Sequence, residues 1–456
     1  MYSGFDFGTS NCAMGVVNEG INNNEVQLLS IDQGEVFMPS AIYALHRELI
    51  CEATARLLPD KNAQATYTEQ RSSQLNSARR IRLVEDIPSN EQAVFVGQEA
   101  FNQYLSFPDE GYFVKSVKSF LGCSGLQAQA VHFFEDIVTV MMLTVKQRAE
   151  QSLGKSIDHT VIGRPVNFQG VYPEKSNRRA IEILTTSAKR AGFKSVEFLF
   201  EPLAAGLDFE MGLEQNRTVL VVDVGGGTTD CSMVRMGPEF RDKIERQDDV
   251  LGNSGNRVGG NDFDIQLAGT QLMPLFGINS NFKDGTAIPS QVFWRAVRTN
   301  NVGDQTIFND KTTDNNLRQY LLDCEHKELL NRFIKLRKEK KNHQLVRVAE
   351  KTKIALSDEH SCRVDLSFAE DALACQVTRE QFSNAVERQV ASMIKLIDEV
   401  INQAGCQPDV VYITGGAAKA QVVREAIDRR LEGVEIIDGD HFGSVTKGLT
   451  VRAQRL

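Results

Sequence analysis

Residues 220–230 read LVVDVGGGTTD. The run VLVV (219–222) looks like strand, Asp223 ends it, and CSMV (231–234) after Asp230 looks like strand again. A tight hairpin alone does not need three consecutive glycines. Gly225, Gly226 and Gly227 allow positive φ and let a ligand approach the backbone without side chains in the way. A row of exposed N–H groups then forms an anion-binding concavity, to which the hydroxyls of Thr228 and Thr229 add donors. Asp223 and Asp230 bracket this concavity, and two carboxylates beside a phosphate would repel it. Mg²⁺, which prefers hard oxygen ligands, removes that conflict.

A similar Asp-x-Gly-Thr device opens the chain, where residues 4–14 read GFDFGTSNCAM. It supplies Asp6, Gly8, Thr9, Ser10 and Asn11. No G-x-x-x-x-G-K-[ST] occurs, so there is no P-loop. The second glycine turn runs into strand rather than helix, which argues against a Rossmann turn. Two glycine hairpins of this kind predict opposing halves of one phosphate clamp, with a nucleotide held between two lobes.

The totals agree with such a protein. A chain of 456 residues is too long for one ordinary core and predicts two or three domains. The net charge of −9 argues against broad nucleic-acid binding. No apolar run approaches the roughly 20 residues that span a bilayer; IVTVMMLTV (137–145) reads as a buried helix segment. No Lys or Arg precedes Arg47, so the basic start of a secretory signal is missing. The eight cysteines include no C-x-x-C pair, the pattern of reduced thiols in a cytoplasm. The expectation is a cytoplasmic monomer that binds neither nucleic acid nor membrane.

Strand-like and helix-like segments alternate along the chain, which gives an α/β class. Strands are expected at GFDFG, AMGVV, 159–163 and VVYIT, and helices near 97–107, 133–153, 174–192, 345–357 and 378–404. The division predicted is lobe I over 1–214, lobe II over 215–438 and a C-terminal helix over 439–456 that returns to lobe I. Each lobe carries an insertion, at about 41–95 and about 266–345. The second ends in the basic run KLRKEKK (335–341), read as a solvated helix and not as a nucleic-acid patch.

With these residues assembled, the chain resembles the actin-like ATPases and, among them, the DnaK-type heat-shock chaperones. DFGTSNCAM and VVDVGGGTTDCSMV are similar to that family's two phosphate motifs. VFMPSAI (36–42) and VFVGQEA (94–100) resemble its Pro-Ser strand and Val-Gly-Gln segment. SVKSFLG (116–122) places the family's essential lysine at Lys118, and FEPLAAGLD (200–208) places a glutamate at Glu201. RVGGNDFD (257–264), AEKTKIALSD (349–358) and VYITGG (411–416) follow in order. The resemblance runs from residue 4 to about 450.

It implies an actin-like fold with a central cleft, ATP or ADP with Mg²⁺ as cofactors, and slow hydrolysis of ATP. Asp6 and Asp223 would hold the water shell of Mg²⁺, and Lys118 would neutralise the γ-phosphate. Glu201 would serve catalysis or signalling, while Thr228 and Asp230 would orient the attacking water. Gly259 and Gly260 join the nucleotide contacts. On the helix at 345–357, Glu350, Lys353 and Ser357 share one face at 100° per residue, opposite Leu345, Ala349, Thr352 and Leu356. Glu350 or Lys353 would bond the ribose, Ile354 suits the underside of a purine, and Gly415 and Gly416 would let the backbone approach the base.

The departures are informative too. Ser10 stands where the family usually has Thr. AAKA (417–420) replaces small-Thr-Arg-x-Pro, so the arginine that would stack on adenine is missing and Lys419 is a weaker substitute. The chain ends where the family's nucleotide domain ends, so a nucleotide-state switch without a peptide-binding domain, acting with a protein partner or client in trans, is expected. Two alternatives stay open: a small-molecule kinase acting on a sugar or acid, and an actin-like assembly protein.

Overall fold

The computed structural model describes residues 1–17, 26–108, 110–123, 127–168, 172–243 and 246–456. Two sheets of the same order organise it. In the first, the strands run Val26–Leu28, Asn11–Val17, Tyr2–Phe7, His159–Arg164 and Ser195–Phe200, with Met38–Pro39 also paired to Asn11–Val17. In the second they run Val250–Asn256, Thr229–Met236, Arg217–Val224, Val410–Thr414 and Glu435–Asp438. Each sheet is thus an antiparallel glycine hairpin followed by two parallel strands. Val219 to Val222 are buried on both faces, which explains why that strand reads as a continuous apolar run instead of alternating. This mixed α/β architecture is the actin-like ATPase fold expected from the motifs.

Helices cover the outer faces. Ala128–Leu153 and Pro173–Arg190 pack in the core of the first sheet, and Arg379–Ala404 crosses the second. Thr378 starts the last of these with a capping box: its hydroxyl accepts from the Gln381 N–H, and the Thr378 N–H donates to Gln381 Oε1. Ala128–Leu153 is long and apolar enough, by length and composition, to cross a membrane. Its longest nearly unbroken apolar stretch remains IVTVMMLTV (137–145), read from the sequence as a buried helix segment. Ile137 to Leu143 are buried in the core of the first sheet, so its apolarity is used in packing.

Between the two sheets lies a third apolar cluster, built by the helices Glu201–Glu210 and Ser444–Gln454. Leu203, Ala204, Val445 and Leu449 meet Val161 of one sheet and Val219 and Val221 of the other. The two helices cross at Gly448, where a Cβ would lie 1.7 Å from the Ala204 carbonyl oxygen. No other residue fits that crossing without moving a helix.

The first insertion is helical, with Leu49–Leu57, Lys61–Gln70 and Ser72–Val84 beside a small sheet of Ala41–Ala44, Val94–Val96 and Tyr112–Lys115. The strands Ser195–Phe200 and Glu435–Asp438 are additions to the sequence-based reading. The basic run KLRKEKK is exposed at Lys335, Lys338 and Lys340, as a solvated helix should be, and some of its cations also make fixed contacts. Lys335 donates to the Ala369 carbonyl, Lys341 to that of Phe368, and Arg337 to those of Phe308 and Asp310. These cations tether the end of helix Lys327–Lys338 to neighbouring segments by satisfying carbonyls there.

Candidate functional site

The turns of the two hairpins meet at the floor of a cleft of about 320 Å³. None of Gly225, Gly226 and Gly227 has positive φ, contrary to the expectation from sequence. The glycines are needed for close approach instead. A Cβ at Gly226 would lie 1.9 Å from Ser10 Oγ, and one at Gly227 would lie 2.6 Å from Thr9 Cγ2. Each loop is therefore packed directly on the other. Gly259 holds the second loop from behind, since a Cβ there would lie 2.7 Å from the Gly226 carbonyl carbon and the Gly227 nitrogen. The N–H groups of Gly260 and Asn261 donate to the carbonyls of Gly225 and Gly226 at 2.9 and 2.7 Å. That contact turns the loop carbonyls away and fixes the conformation in which loop N–H groups remain for a ligand.

Around this floor stand four carboxylates and one ammonium. Asp223 and Asp230 are cross-strand partners in the second hairpin, and Asp6 is the last residue but one of the first strand of the other. Glu201 opens the helix Glu201–Glu210 with Pro202 behind it, where a carboxylate suits the helix N-terminus. Lys118 is buried and pairs with Glu201. Burial opposes the charge of Lys118, but Glu201 and Asp6 more than offset it, so its pKa is raised. Burial, then the negative charge of Glu201, pushes Asp6 up to about 7 and Asp230 also to about 7. Burial and the surrounding carboxylates, Glu201 first, push Asp223 well above the usual range.

So much negative charge around one cation calls for a further positive charge. The donor set is hard oxygen, which fits Mg²⁺. Among the described residues no group of three His, Cys, Asp or Glu side chains is placed to ligate one ion. Asp6 and Asp223 would accordingly hold Mg²⁺ through its water shell, the ion keeping several waters as its chemistry favours.

The other end of the cleft differs. Glu350 and Lys353, on the helix Asn342–Asp358, line it, but both are already paired. Glu350 accepts from Lys115 at 2.9 Å, a bond between the two halves of the molecule. Lys353 sits 2.7 Å from Asp264 and donates to the Gly260 carbonyl at 3.1 Å. Burial would raise Glu350, but Lys115 and Lys353 together bring it below its ordinary value. Ile354, which stands out on that polar face in the sequence, is 59% exposed and lines the cleft. Gly415 and Gly416 line it as well, together with Phe37 and Phe442.

Of the residues singled out from sequence, Asp6, Gly8, Thr9, Ser10, Asn11, Glu201, Asp223, Gly225, Gly226, Thr228, Gly260, Glu350, Lys353, Gly415 and Gly416 line this one cavity. Lys118 lies behind it, against Glu201. Asp230 is buried, accepting from the Val166 N–H at 2.8 Å and from the Thr228 hydroxyl. Thr229 does not face the cavity, and its hydroxyl donates to the Val258 carbonyl inside the fold. Gly227, Gly259 and Ser357 do not line it either; the Ser357 hydroxyl is turned to the Lys353 carbonyl. Lys419 is not on the wall, its ammonium lying 4.8 Å from the Phe442 ring centroid. Sequence reasoning missed Asn261, Phe37, Ala417, His441, Phe442 and Val445. Asn261 was findable inside RVGGNDFD; an isolated Phe such as Phe442 carries no signal of its own. A larger cavity of about 610 Å³, lined by Arg47, Tyr112, Phe113 and Phe133, holds none of the residues singled out from sequence.

Comparison with known proteins follows this geometry. "Chaperone protein DnaK" of Mycoplasmopsis agalactiae (strain NCTC 10123 / CIP 59.7 / PG2) is 30% identical over 182 residues. That stretch covers 38% of this chain and 27% of the relative's length. The family described as HSP70, Hsp70 protein, matches residues 121–280 and 299–451. These segments make up more than half of the chain and include the second glycine hairpin, the helix Asn342–Asp358 and the Gly415–Gly416 turn, so the chain belongs to the Hsp70 family.

Proposed function

We propose that this protein binds ATP and ADP with Mg²⁺ in the cleft between its two halves and hydrolyses ATP slowly, as a nucleotide-state switch of the chaperone type. The observation that carries this reading is the direct packing of two glycine loops under a cluster of buried carboxylates with one ammonium. Phosphoryl transfer to water needs positioning and charge stabilisation more than covalent chemistry, and this floor offers both. Asp6 and Asp223 hold the hydrated Mg²⁺ in this reading, and loop N–H groups with Thr9, Ser10 and Thr228 hold phosphate oxygens. Lys118 stabilises charge at the γ-phosphate, with Glu201 keeping its ammonium in place. Asp230, bonded to Thr228, orients the attacking water. Mg²⁺ supplies charge neutralisation on the phosphates when bound.

Within the family the motif set resembles the bacterial DnaK-like protein YegD, and kinship with it is part of this proposal, as are a monomeric state and a cytoplasmic location. The switch is read by a protein partner or client in trans. Support comes from the two insertions, which expose Leu83 (84%), Val84 (67%) and Leu322 (74%). The family's chaperone character agrees with such a role.

The test is thermal and calorimetric. Mg-ATP at 100 times its Kd should stabilise the fold by about 2.7 kcal/mol through mass action. Absence of any shift in melting or protease resistance at millimolar Mg-ATP removes the clamp. Phosphate transfer to an added sugar or acid would indicate a kinase, and ATP-dependent sedimentation an assembly protein. Binding of unfolded model peptides, with and without ATP, tests the client role.

A further inference from the structure

Phe442 is 43% exposed although its neighbours Val445 and Ala417 are buried at 8% and 7%. It lines the cleft, as do Ile354 and Phe37. Its ring is firmly held. A Cβ at Gly416 would come within 2.7 Å of Phe442 Cε1, so the ring edge rests on the backbone of the Gly415–Gly416 turn. The Lys419 ammonium lies over the ring at 4.8 Å from its centroid, within cation–π reach. Phe37, which comes from the other side of the cleft floor, meets it at 5.8 Å and 54°. Asp440, two residues earlier, accepts from the N–H groups of Phe442 and Gly443 at 3.3 and 3.1 Å and fixes the turn that carries the ring.

A rigid aromatic face and an exposed aliphatic side chain opening into one cavity are costly in water unless something flat and apolar covers them. With the ammonium over the ring at one side, Phe442 still keeps 43% of its surface exposed at the cleft wall. Lys419 therefore does not replace the missing arginine by touching the ligand; it backs the ring that does.

We propose that Phe442 is the stacking platform for the nucleotide base and, with Ile354, sets a preference for purines over pyrimidines. This rests on the reading of the cleft as a nucleotide clamp and adds which residues choose the base. A purine covers more of the ring than a pyrimidine, and base–aromatic stacking tolerates any base with a π-face. Phe442 thus gives a size preference without a hydrogen-bond code. Phe37 braces the platform from the side and couples it to the segment that leads into Met38–Pro39.

The experiment uses the full chain with two probes, Mg-ATP and magnesium tripolyphosphate, the latter having phosphates and no base. Phe442→Ala should weaken Mg-ATP about tenfold, the size expected for loss of one stacking contact. Tripolyphosphate affinity should stay within about twofold, which also shows that the variant is folded. The ATP-to-CTP affinity ratio should fall towards one. Phe442→Trp should keep ATP affinity, and its added emission should be quenched by ATP and not by tripolyphosphate. Unchanged ATP affinity in Phe442→Ala, or added emission in Phe442→Trp that ignores ATP, overturns the proposal. If the native chain binds neither probe, the clamp itself fails; if it binds both and the variants behave like it, only the platform fails.

Discussion

At the floor of the cleft, the buried Glu201, Asp223, Asp230 and Lys118 gather with the half-buried Asp6 beside two glycine loops, whereas the far end is walled by Phe37, Ile354 and Phe442, the last two substantially exposed. The floor is tightly packed, with several backbone approaches as close as glycine allows. Gly226, Gly227 and Gly259 each sit where a Cβ would meet another loop. The far end is held by side chains from distant parts of the chain and leaves apolar surface uncovered. Charge that needs a cation sits at one end, and surface that needs a flat ring sits at the other. A ligand with phosphates at one end and a base at the other satisfies both.

Substitutions at each end should separate these two roles. The largest effect is expected from Lys118→Ala, which removes the buried ammonium proposed to stabilise charge at the γ-phosphate. ATP turnover should fall about 10²–10³-fold, the range for losing one preorganised charge-stabilising group. ADP affinity, by titration calorimetry, should change far less; equal losses for ATP and ADP would assign Lys118 to scaffolding.

Next is Gly259→Ala. Its methyl would press on the backbone of Gly226 and Gly227, where nothing flexible can yield. Overpacking of this kind costs about 1–3 kcal/mol. The loop should shift, with ATP, ADP and tripolyphosphate all weakened together by about tenfold or more, given that 1.4 kcal/mol is tenfold. Loss of ATP binding with tripolyphosphate retained would break the distinction between the two ends.

A pH effect should follow from Asp230, which burial and then Glu201 raise to about 7. In its proposed role of orienting the attacking water it acts in the ionised form. kcat/KM for ATP, which reports the free protein, should therefore rise from about pH 6 to about pH 8 and then level. Asp230→Asn should lower the rate and abolish that slope. The sign for stability is opposite. Between the ordinary 3.8 and about 7 the folded state keeps a proton that the unfolded chain releases. Resistance of the nucleotide-free protein to urea should accordingly fall as pH rises through that window and stay flat above it.

The smallest effect should come from Ile354→Ser at the base end. Because the side chain is 59% exposed, stability should move by no more than about 0.5 kcal/mol. ATP affinity should drop about threefold, a fraction of a full stacking contact, with tripolyphosphate unaffected. A matching loss for tripolyphosphate would mean that Ile354 supports the helix and not the base.

Much of the fold is legible along the chain. LVVDVGGGTTD and GFDFGTSNCAM declare two glycine hairpins, because a turn's chemistry is local and its carboxylates and glycines are neighbours in sequence. The amphipathic face of Asn342–Asp358 and the capped start of Arg379–Ala404 are legible for the same reason: periodicity and caps are read within a few residues. The strands Ser195–Phe200 and Glu435–Asp438 escaped because they are short and half-buried and stand at sheet edges. Tertiary structure alone decided which way Thr229 turns, that Glu350 is taken by Lys115 from the opposite half, and that Lys335 and Lys341 reach the carbonyls of Ala369 and Phe368. It also decided why the glycines of the second loop are needed, for contact with Thr9 and Ser10 and not for positive φ. The base end was invisible for one physical reason. Phe37, Ile354, Gly416 and Phe442 are far apart in the chain, and the exposed face of a ring acquires meaning only when packing of both sheets brings it to the same cavity.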